Sequence, residues 1–118
     1  MKIATIQQLL DARVIAGQDH LEDDVYSACG SDMMSDVLAY VKDQAVLLTG
    51  LVNPQVIRTA EMMDMRCIVF VRAKEPTADM ITLAEECGLV ILATKKRMYE
   101  ACGILYSNGL VGNKVKES

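Results

Sequence analysis

Four short apolar runs recur along the chain at nearly constant spacing. They begin at Val25, Val46, Cys67 and Leu89, which are separated by 21, 21 and 22 residues. This period holds one strand, one helix and two short loops, and the segments between the runs have helical periodicity. The last three runs are nearly continuous in apolar residues, as is typical of parallel strands covered by helices on both faces. The repeat therefore predicts an α/β fold and disfavours an antiparallel meander.

Helix start and stop signals separate the runs. Asn53 suits the capping of free backbone amides and Pro54 suits the first helical position, so a helix is predicted to begin there. Thr77 predicts the start of the next helix, which is expected to end at Gly88. Thr94 or a neighbouring residue is predicted to begin the last helix.

Apolar residues between the first two runs recur at spacings of three and four, as on one face of a helix. They are Met33, Met34, Val37, Leu38 and Val41. Residues 5–12 predict a short helix, and residues 13–17 predict an edge strand. We therefore expect a three-layer α/β sandwich with a mainly parallel sheet of four to five strands flanked by helices. It would form one domain over residues 1–112, followed by a flexible tail at 113–118.

The composition argues against several classes of protein. Hydrophobic residues make up 52% and charged residues 24% of the chain, which favours a packed globular protein. A net charge of −4 provides no long-range attraction to nucleic acid or to an anionic membrane. No apolar run approaches the roughly 20 residues of a membrane span, and the first residues lack the features of a signal peptide. We expect a cytoplasmic protein that binds neither nucleic acid nor membrane.

The four cysteines and the single histidine form no recognisable metal-binding pattern. No two of the cysteines form a C-x-x-C pair, since they lie at Cys29, Cys67, Cys87 and Cys102. We therefore expect reduced, buried thiols, no metal and no cofactor. His20 lies in an acidic turn far from any cysteine, which favours a solvated side chain over a catalytic base. Cys29 is predicted to lie at a strand-to-helix turn, a position that lowers a thiol pKa. No base accompanies it in the sequence, so an unreactive thiol is favoured over a thiol-dependent enzyme.

The carboxyl ends of parallel strands collect small side chains and free backbone amides at one edge of a sheet. The residues predicted at this edge are Cys29, Gly30, Ser31, Thr49, Gly50, Asn53, Arg72, Lys74, Thr94, Lys95 and Lys96. The candidate ligand site among them consists of Thr49, Gly50, Asn53, Arg72, Thr94 and Lys95, and it would bind a small anion such as a nucleotide or another phosphate compound.

A structural interpretation explains the same residues without a ligand. Helix caps account for Asn53 and Thr94, a tight turn accounts for Gly50, and exposed Arg and Lys side chains are common near loops. Neither a Walker loop nor G-x-G-x-x-G occurs in the chain. Nucleotide binding by these two devices is therefore not supported.

The successive strand and helix units resemble a stand-alone DRTGG domain. The resemblance runs through residues 6–17, 25–41, 45–71 and 89–105. Similar domains are accessory modules in phosphate acetyltransferases and in CBS-domain inorganic pyrophosphatases, and a related fold forms the amino-terminal domain of HPr kinase/phosphorylase. The resemblance implies a module that is not itself an enzyme, and that regulates one or builds a dimer interface.

The residues that name this family are not kept. Its Asp-Arg pair matches Asn53 and Pro54, and its Thr-Gly-Gly matches Arg72, Ala73 and Lys74. The ligand or contact that the signature serves in other members is therefore not assigned to this chain by the resemblance, although Asn53 keeps a helix-start residue and Arg72 adds a positive charge. Single-domain members that resemble it are associated with hydrogenase-linked gene clusters, which implies a hydrogenase-related partner enzyme.

Two functions remain open on the sequence. The leading one is a non-catalytic regulatory or assembly module that acts as a homodimer or on a partner enzyme. Met62, Met63 and Met65 could provide it with an adaptable surface, although their spacing would equally divide them between core and solvent. The alternative is a sensor that binds a nucleotide or phosphate compound at the carboxyl edge, at the turn after Gly50.

Overall fold

The computed structural model describes residues 1–40 and 44–112, and within these ranges it contains five α-helices and five strands. The elements are α1 Ile3–Leu9, β1 Arg13–Ala16, a short 3-10 helix Gln18–His20, β2 Ser27–Gly30, α2 Met34–Tyr40, β3 Ala45–Thr49, α3 Pro54–Met62, β4 Cys67–Phe70, α4 Ala78–Cys87, β5 Val90–Ala93 and α5 Met98–Ser107. The predicted tail at 113–118 and the predicted apolar position Val41 lie outside the described residues.

The five strands form one sheet in the order β1-β5-β4-β3-β2. Strands β2, β3, β4 and β5 are parallel to one another, and β1 lies antiparallel to β5 at the edge of the sheet. The mainly parallel sheet and the short edge strand predicted at 13–17 are thus confirmed. The antiparallel direction of β1 places Arg13 opposite Ala93, at the carboxyl end of β5.

Helices cover both faces of the sheet. Connections between parallel neighbouring strands are right-handed in nearly all proteins, so three successive connections in one direction place α2, α3 and α4 on the same face. Their buried residues pack with Leu47, Ile68 and Ile91. On the opposite face α1 and α5 pack with strand residues such as Leu48 and Leu92. Alternate strand residues point to the two faces, and the predicted three-layer sandwich is confirmed.

The predicted boundaries of two helices are confirmed by their caps. Asn53 accepts a hydrogen bond from the Gln55 amide at 2.8 Å, and Pro54 is the first residue of α3. Thr77 accepts from the Met80 amide at 3.3 Å, and α4 ends at a left-handed residue with φ of 70°. That residue is Gly88, for which a left-handed backbone costs little.

The start of α5 differs from the prediction. The helix begins at Met98 and its N-cap is Arg97, so Thr94 is not a cap. The Thr94 hydroxyl donates instead to the Leu10 carbonyl oxygen at 2.7 Å and accepts from the Lys96 amide at 3.2 Å. It thereby links the end of α1 to the loop after β5, and this loop delays the helix by three residues.

The apolar stripe predicted on α2 is narrower than expected. Val37 is buried, but Met33 and Leu38 are 61% and 43% exposed. The helix lies at the edge of its layer, over the edge strand β2, and packs against α3 on one side only. At the end of α3, Met62 is 71% exposed while Met65 is buried. The methionines of this segment are thus divided between solvent and core, as predicted from ordinary helical spacing.

Candidate functional site

The loops that follow the parallel strands lie along one edge of the sheet and are joined by backbone hydrogen bonds. The Ser31 amide donates to Leu48, the Val71 amide to Thr49 and the Thr94 amide to Phe70, at 2.9 to 3.0 Å. These bonds extend the sheet ladder beyond the strands. The six residues of the predicted ligand site lie at or after the ends of β3, β4 and β5, but the structure places them in three different surroundings.

The first of these surroundings is the turn after β3, where a carboxylate occupies the position expected for an anion. Oδ1 of Asp32 accepts hydrogen bonds from the Gly50 amide at 2.7 Å and from the Thr49 hydroxyl at 3.1 Å. The Thr49 hydroxyl oxygen in turn accepts from the Leu51 amide at 3.1 Å. These three donors are thus satisfied within the chain.

Arg72 completes this arrangement, which we call the β3 turn site: Asp32, Thr49, Gly50 and Arg72. A guanidinium nitrogen of Arg72 lies 3.5 Å from Oδ2 of Asp32. The guanidinium also lies directly against Gly50, where a Cβ would approach its central carbon to 2.9 Å. A side chain at position 50 would therefore push the guanidinium away from Asp32.

The backbone at Arg72 turns sharply toward the next strand. Arg72 and Ala73 have φ of 60° and 58°, a left-handed conformation that is rare for residues with a Cβ. The amides of these two residues donate to the carbonyl oxygens of Lys96 and Thr94, at 2.8 and 3.0 Å. The loop after β4 is thus fastened to the loop after β5.

The second of these surroundings is an open cleft of about 380 Å³ at the ends of β4 and β5. It lies where the loop after β4 leads to α4 on one face of the sheet and the loop after β5 leads to α5 on the other. Ligands of open α/β sheets bind where adjacent loops diverge in this way. The residues lining this space, which we call the β5 cleft, are Leu10, Asp11, Arg13, Ala73, Glu75, Ala93, Thr94, Lys95 and Lys96.

The charged side chains of the β5 cleft are partly paired. Arg13 forms an exposed ion pair with Glu75, and Nζ of Lys96 lies 3.5 Å from a carboxylate oxygen of Glu100. Lys95 is exposed and forms no ion pair with another residue in the described part of the chain. Because exposed ion pairs contribute little energy, an incoming anion can compete for these cations.

The predicted residues therefore fall into three places. Thr49, Gly50 and Arg72 meet in the β3 turn site, Thr94 and Lys95 line the β5 cleft, and Asn53 caps α3 in neither.

Sequence reasoning did not include Asp32 and Arg13. Asp32 lies two residues after the end of β2, so its position in the sequence could have placed it at the carboxyl edge. Arg13 lies at the carboxyl edge because β1 runs antiparallel to β5. The sequence of a single strand does not show in which direction that strand runs.

A family model for the DRTGG domain matches residues 5–107. The chain belongs to the DRTGG domain family. No curated protein matches it.

Among solved structures, the DRTGG chain is similar to the CBS and DRTGG domains of the regulatory region of Clostridium perfringens pyrophosphatase, determined in complex with the activator diadenosine tetraphosphate. The TM-score is 0.72 at 11% sequence identity, with 88% of this chain and 45% of that chain covered. At this identity the likeness shows a shared fold, and the chain spans about half the length of the solved protein.

The cysteines of the DRTGG chain are all free, and Cys67 is the one that is fully buried. Partial burial raises the pKa of the Cys29 thiol, and the nearby Cys102 and Asp36 add to this effect. The predicted lowering is wrong, because Cys29 lies within β2 and not at the turn before α2, and burial is the largest cause of its raised pKa. A hydrogen bond to Glu61 at 3.1 Å raises the pKa of Cys87 to about 11. A raised pKa disfavours the thiolate form of Cys29 near neutral pH.

His20 lies at the end of the short 3-10 helix, where Nδ1 is 3.2 Å from a carboxylate oxygen of Asp23. Both side chains are substantially exposed. Within residues 1–40 and 44–112, no group of three or more His, Cys, Asp and Glu side chains is arranged to hold a metal ion. None of the helices in this part of the chain is long and apolar enough to cross a membrane.

Proposed function

We propose that this DRTGG chain is a non-catalytic, cytoplasmic regulatory or assembly module that acts through homodimerisation or by binding a partner enzyme. The main support is the fold match, because 88% of the chain is covered by a structure taken from the regulatory region of an enzyme. The resemblance drawn from the sequence points to an enzyme related to hydrogenases as the partner.

A module of this kind acts through its surface. Three exposed large apolar residues lie in the α2 and α3 layer: Met33 just before α2, Leu38 within α2, and Met62 at the end of α3. Methionine has a flexible, polarizable side chain and adapts to differently shaped partners. These three residues therefore support recognition by contact with another protein chain.

The mass of the native complex tests this proposal. A homodimer predicts at least twice the monomer mass of 13.0 kDa in native mass spectrometry of the purified chain, and a partner enzyme predicts a mass above that of the monomer in the complex isolated from the source cell. The double variant Met33→Asp, Met62→Asp should shift both samples toward the monomer. Tyr99→Asp is the matched control, since Tyr99 is the most exposed large apolar residue and lies on α5, on the opposite face. A monomer in both wild-type samples would contradict the proposal.

The second candidate function is a sensor of a small phosphate compound, and the open β5 cleft favours it. A ligand that binds only the folded state raises the melting temperature as its concentration rises above its dissociation constant. A thermal-shift screen over adenine nucleotides, acetyl phosphate and pyrophosphate tests it. An unchanged melting temperature with every compound would remove the sensor function and leave the assembly function standing.

A further inference from the structure

The two regions of the carboxyl edge offer different opportunities to a ligand. In the β3 turn site the Gly50 amide and the Thr49 hydroxyl already donate to Asp32, and Arg72 lies beside the same carboxylate. An external anion would have to displace this internal one. In the β5 cleft Arg13 forms an exposed ion pair with Glu75, but an open space of about 380 Å³ remains beside it. This volume falls within the range of about 300–1,000 Å³ typical of small-molecule sites.

The lining of the β5 cleft indicates the chemistry of its ligand. Arg13, Lys95 and Lys96 supply positive charge, whereas Asp11 and Glu75 supply acceptors. A bare inorganic anion would be attracted by the cations and repelled by both carboxylates. A ligand that carries a phosphate together with hydroxyl or amino groups can satisfy both kinds of side chain.

The remaining wall of the cleft is apolar. Leu10, Ala73 and Ala93 line it, and the small alanine side chains leave room for a flat group. Thr94 contributes little hydrogen bonding to a ligand, because its hydroxyl is committed to the Leu10 carbonyl oxygen at 2.7 Å. The surface is thus suited to a planar ring attached to a phosphate-bearing sugar.

We propose that the β5 cleft binds a single nucleoside phosphate, with the phosphate against Lys95 and Arg13 and the base against the wall formed by Leu10, Ala73 and Ala93. The inference rests on the sensor form of the proposed function and specifies its site and ligand class. Binding draws Arg13 away from Glu75, so the ligand also loosens the contact between β1 and the loop after β4.

Isothermal titration calorimetry with AMP, ADP, adenosine and inorganic phosphate tests the ligand class on the full chain. AMP or ADP should bind at least about tenfold more tightly than either adenosine or inorganic phosphate, because each of these lacks one half of the contacts. Equal affinity for phosphate alone and for the nucleotides would overturn the inference, as would the absence of binding by both nucleotides.

Two variants and one control test the location. Lys95→Met and Arg13→Met should each weaken nucleotide binding by roughly tenfold or more, the usual effect of losing a hydrogen bond to a charged group. Lys74→Met should change it by less than about twofold, since Lys74 is an exposed cation on the same edge outside the cleft lining, and exposed charges are screened by salt.

The outcomes separate this inference from the sensor function itself. Nucleotide binding that Lys95→Met and Arg13→Met leave unchanged would keep the sensor and overturn the cleft as its site. Far-ultraviolet circular dichroism of each variant shows that the fold is intact. Exposed ion pairs add little stability, so both variants should fold as the wild type does.

Discussion

The β3 turn site and the β5 cleft lie on the same edge of one sheet, yet one is filled and the other is open. Each has strand-end backbone groups and basic side chains. In the β3 turn site the preceding unit supplies Asp32, which accepts from the Gly50 amide at 2.7 Å. At the β5 cleft the loops diverge toward helices on opposite faces, and space remains between them. The comparison teaches that strand-end chemistry alone does not make a ligand site, because neighbouring units can satisfy it.

The largest effect that tests this comparison is expected from Asp32→Ala. The substitution leaves the Gly50 amide and the buried Thr49 hydroxyl without their acceptor, which should destabilise the fold by about 1–3 kcal/mol. Urea unfolding measures the change. Asp19→Ala, an exposed aspartate that forms no ion pair with another described residue, should be nearly neutral.

The same variant shows whether the vacated turn is an anion site. Sodium phosphate should stabilise Asp32→Ala more than it stabilises the wild type, since Arg72 and the two donors remain in place. An equal response of both proteins to phosphate would mean that Asp32 holds the turn closed without imitating a ligand.

A smaller effect is expected from Thr94→Val at the wall of the β5 cleft. The change keeps the shape of the side chain but removes the hydrogen bond to Leu10, which should cost about 1 kcal/mol of unfolding free energy. Thermal or urea unfolding provides the measurement. Thr82→Val, which removes an exposed hydroxyl from α4, should have an effect within about 0.5 kcal/mol. Equal losses in the two variants would show that the Thr94 bond has no special role.

The sequence predicted the fold well because the signals were local. The 21- to 22-residue repeat gave the strands and helices, and Asn53 and Thr77 gave two helix starts that their hydrogen bonds confirm. The start of α5 was misplaced because the Thr94 hydroxyl finds its partner in Leu10, 84 residues away. No local pattern reports a hydrogen bond over that distance.

The candidate site was less predictable than the fold, for a related reason. The sequence placed Thr49, Gly50 and Arg72 at one edge, and the structure brings them together. It could not show that Asp32 would occupy the space between them. Arg13 was missed because its place beside β5 depends on the antiparallel direction of an isolated edge strand. Occupancy and strand direction are tertiary properties.

Ala73→Gly should stabilise the fold, by less than Thr94→Val destabilises it. Ala73 has φ of 58°, which costs a residue with a Cβ roughly 1–2 kcal/mol, whereas glycine adopts it freely. Part of this gain is lost to the greater freedom of glycine in the unfolded chain, so a stabilisation of about 0.5 kcal/mol is expected. Differential scanning calorimetry measures it. Ala78→Gly, at the helical start of α4, should destabilise instead.

This prediction also concerns the signature that names the family. The match to the sequence placed its two glycines on Ala73 and Lys74, but the left-handed pair lies at Arg72 and Ala73. Glycine adopts a left-handed backbone freely, so the two family glycines fit the positions of Arg72 and Ala73 better than those of Ala73 and Lys74. This favours aligning the Thr-Gly-Gly of the family one residue earlier in this chain. A loss of stability in Ala73→Gly would argue against that assignment.

The smallest expected effect is the difference in coupling energy between the ion pair of the β3 turn site and that of the β5 cleft. Arg72 and Asp32 meet with half-exposed side chains beside Gly50, whereas Arg13 and Glu75 meet in the open with about two-thirds of each side chain exposed. Double-mutant cycles built from Arg72→Met and Asp32→Asn, and from Arg13→Met and Glu75→Gln, should give a coupling energy of about 0.5 kcal/mol for the first pair and near zero for the second. If the Arg13–Glu75 coupling were the larger, the cleft would be held shut by its own residues, and the contrast between a filled turn and an open cleft would fail.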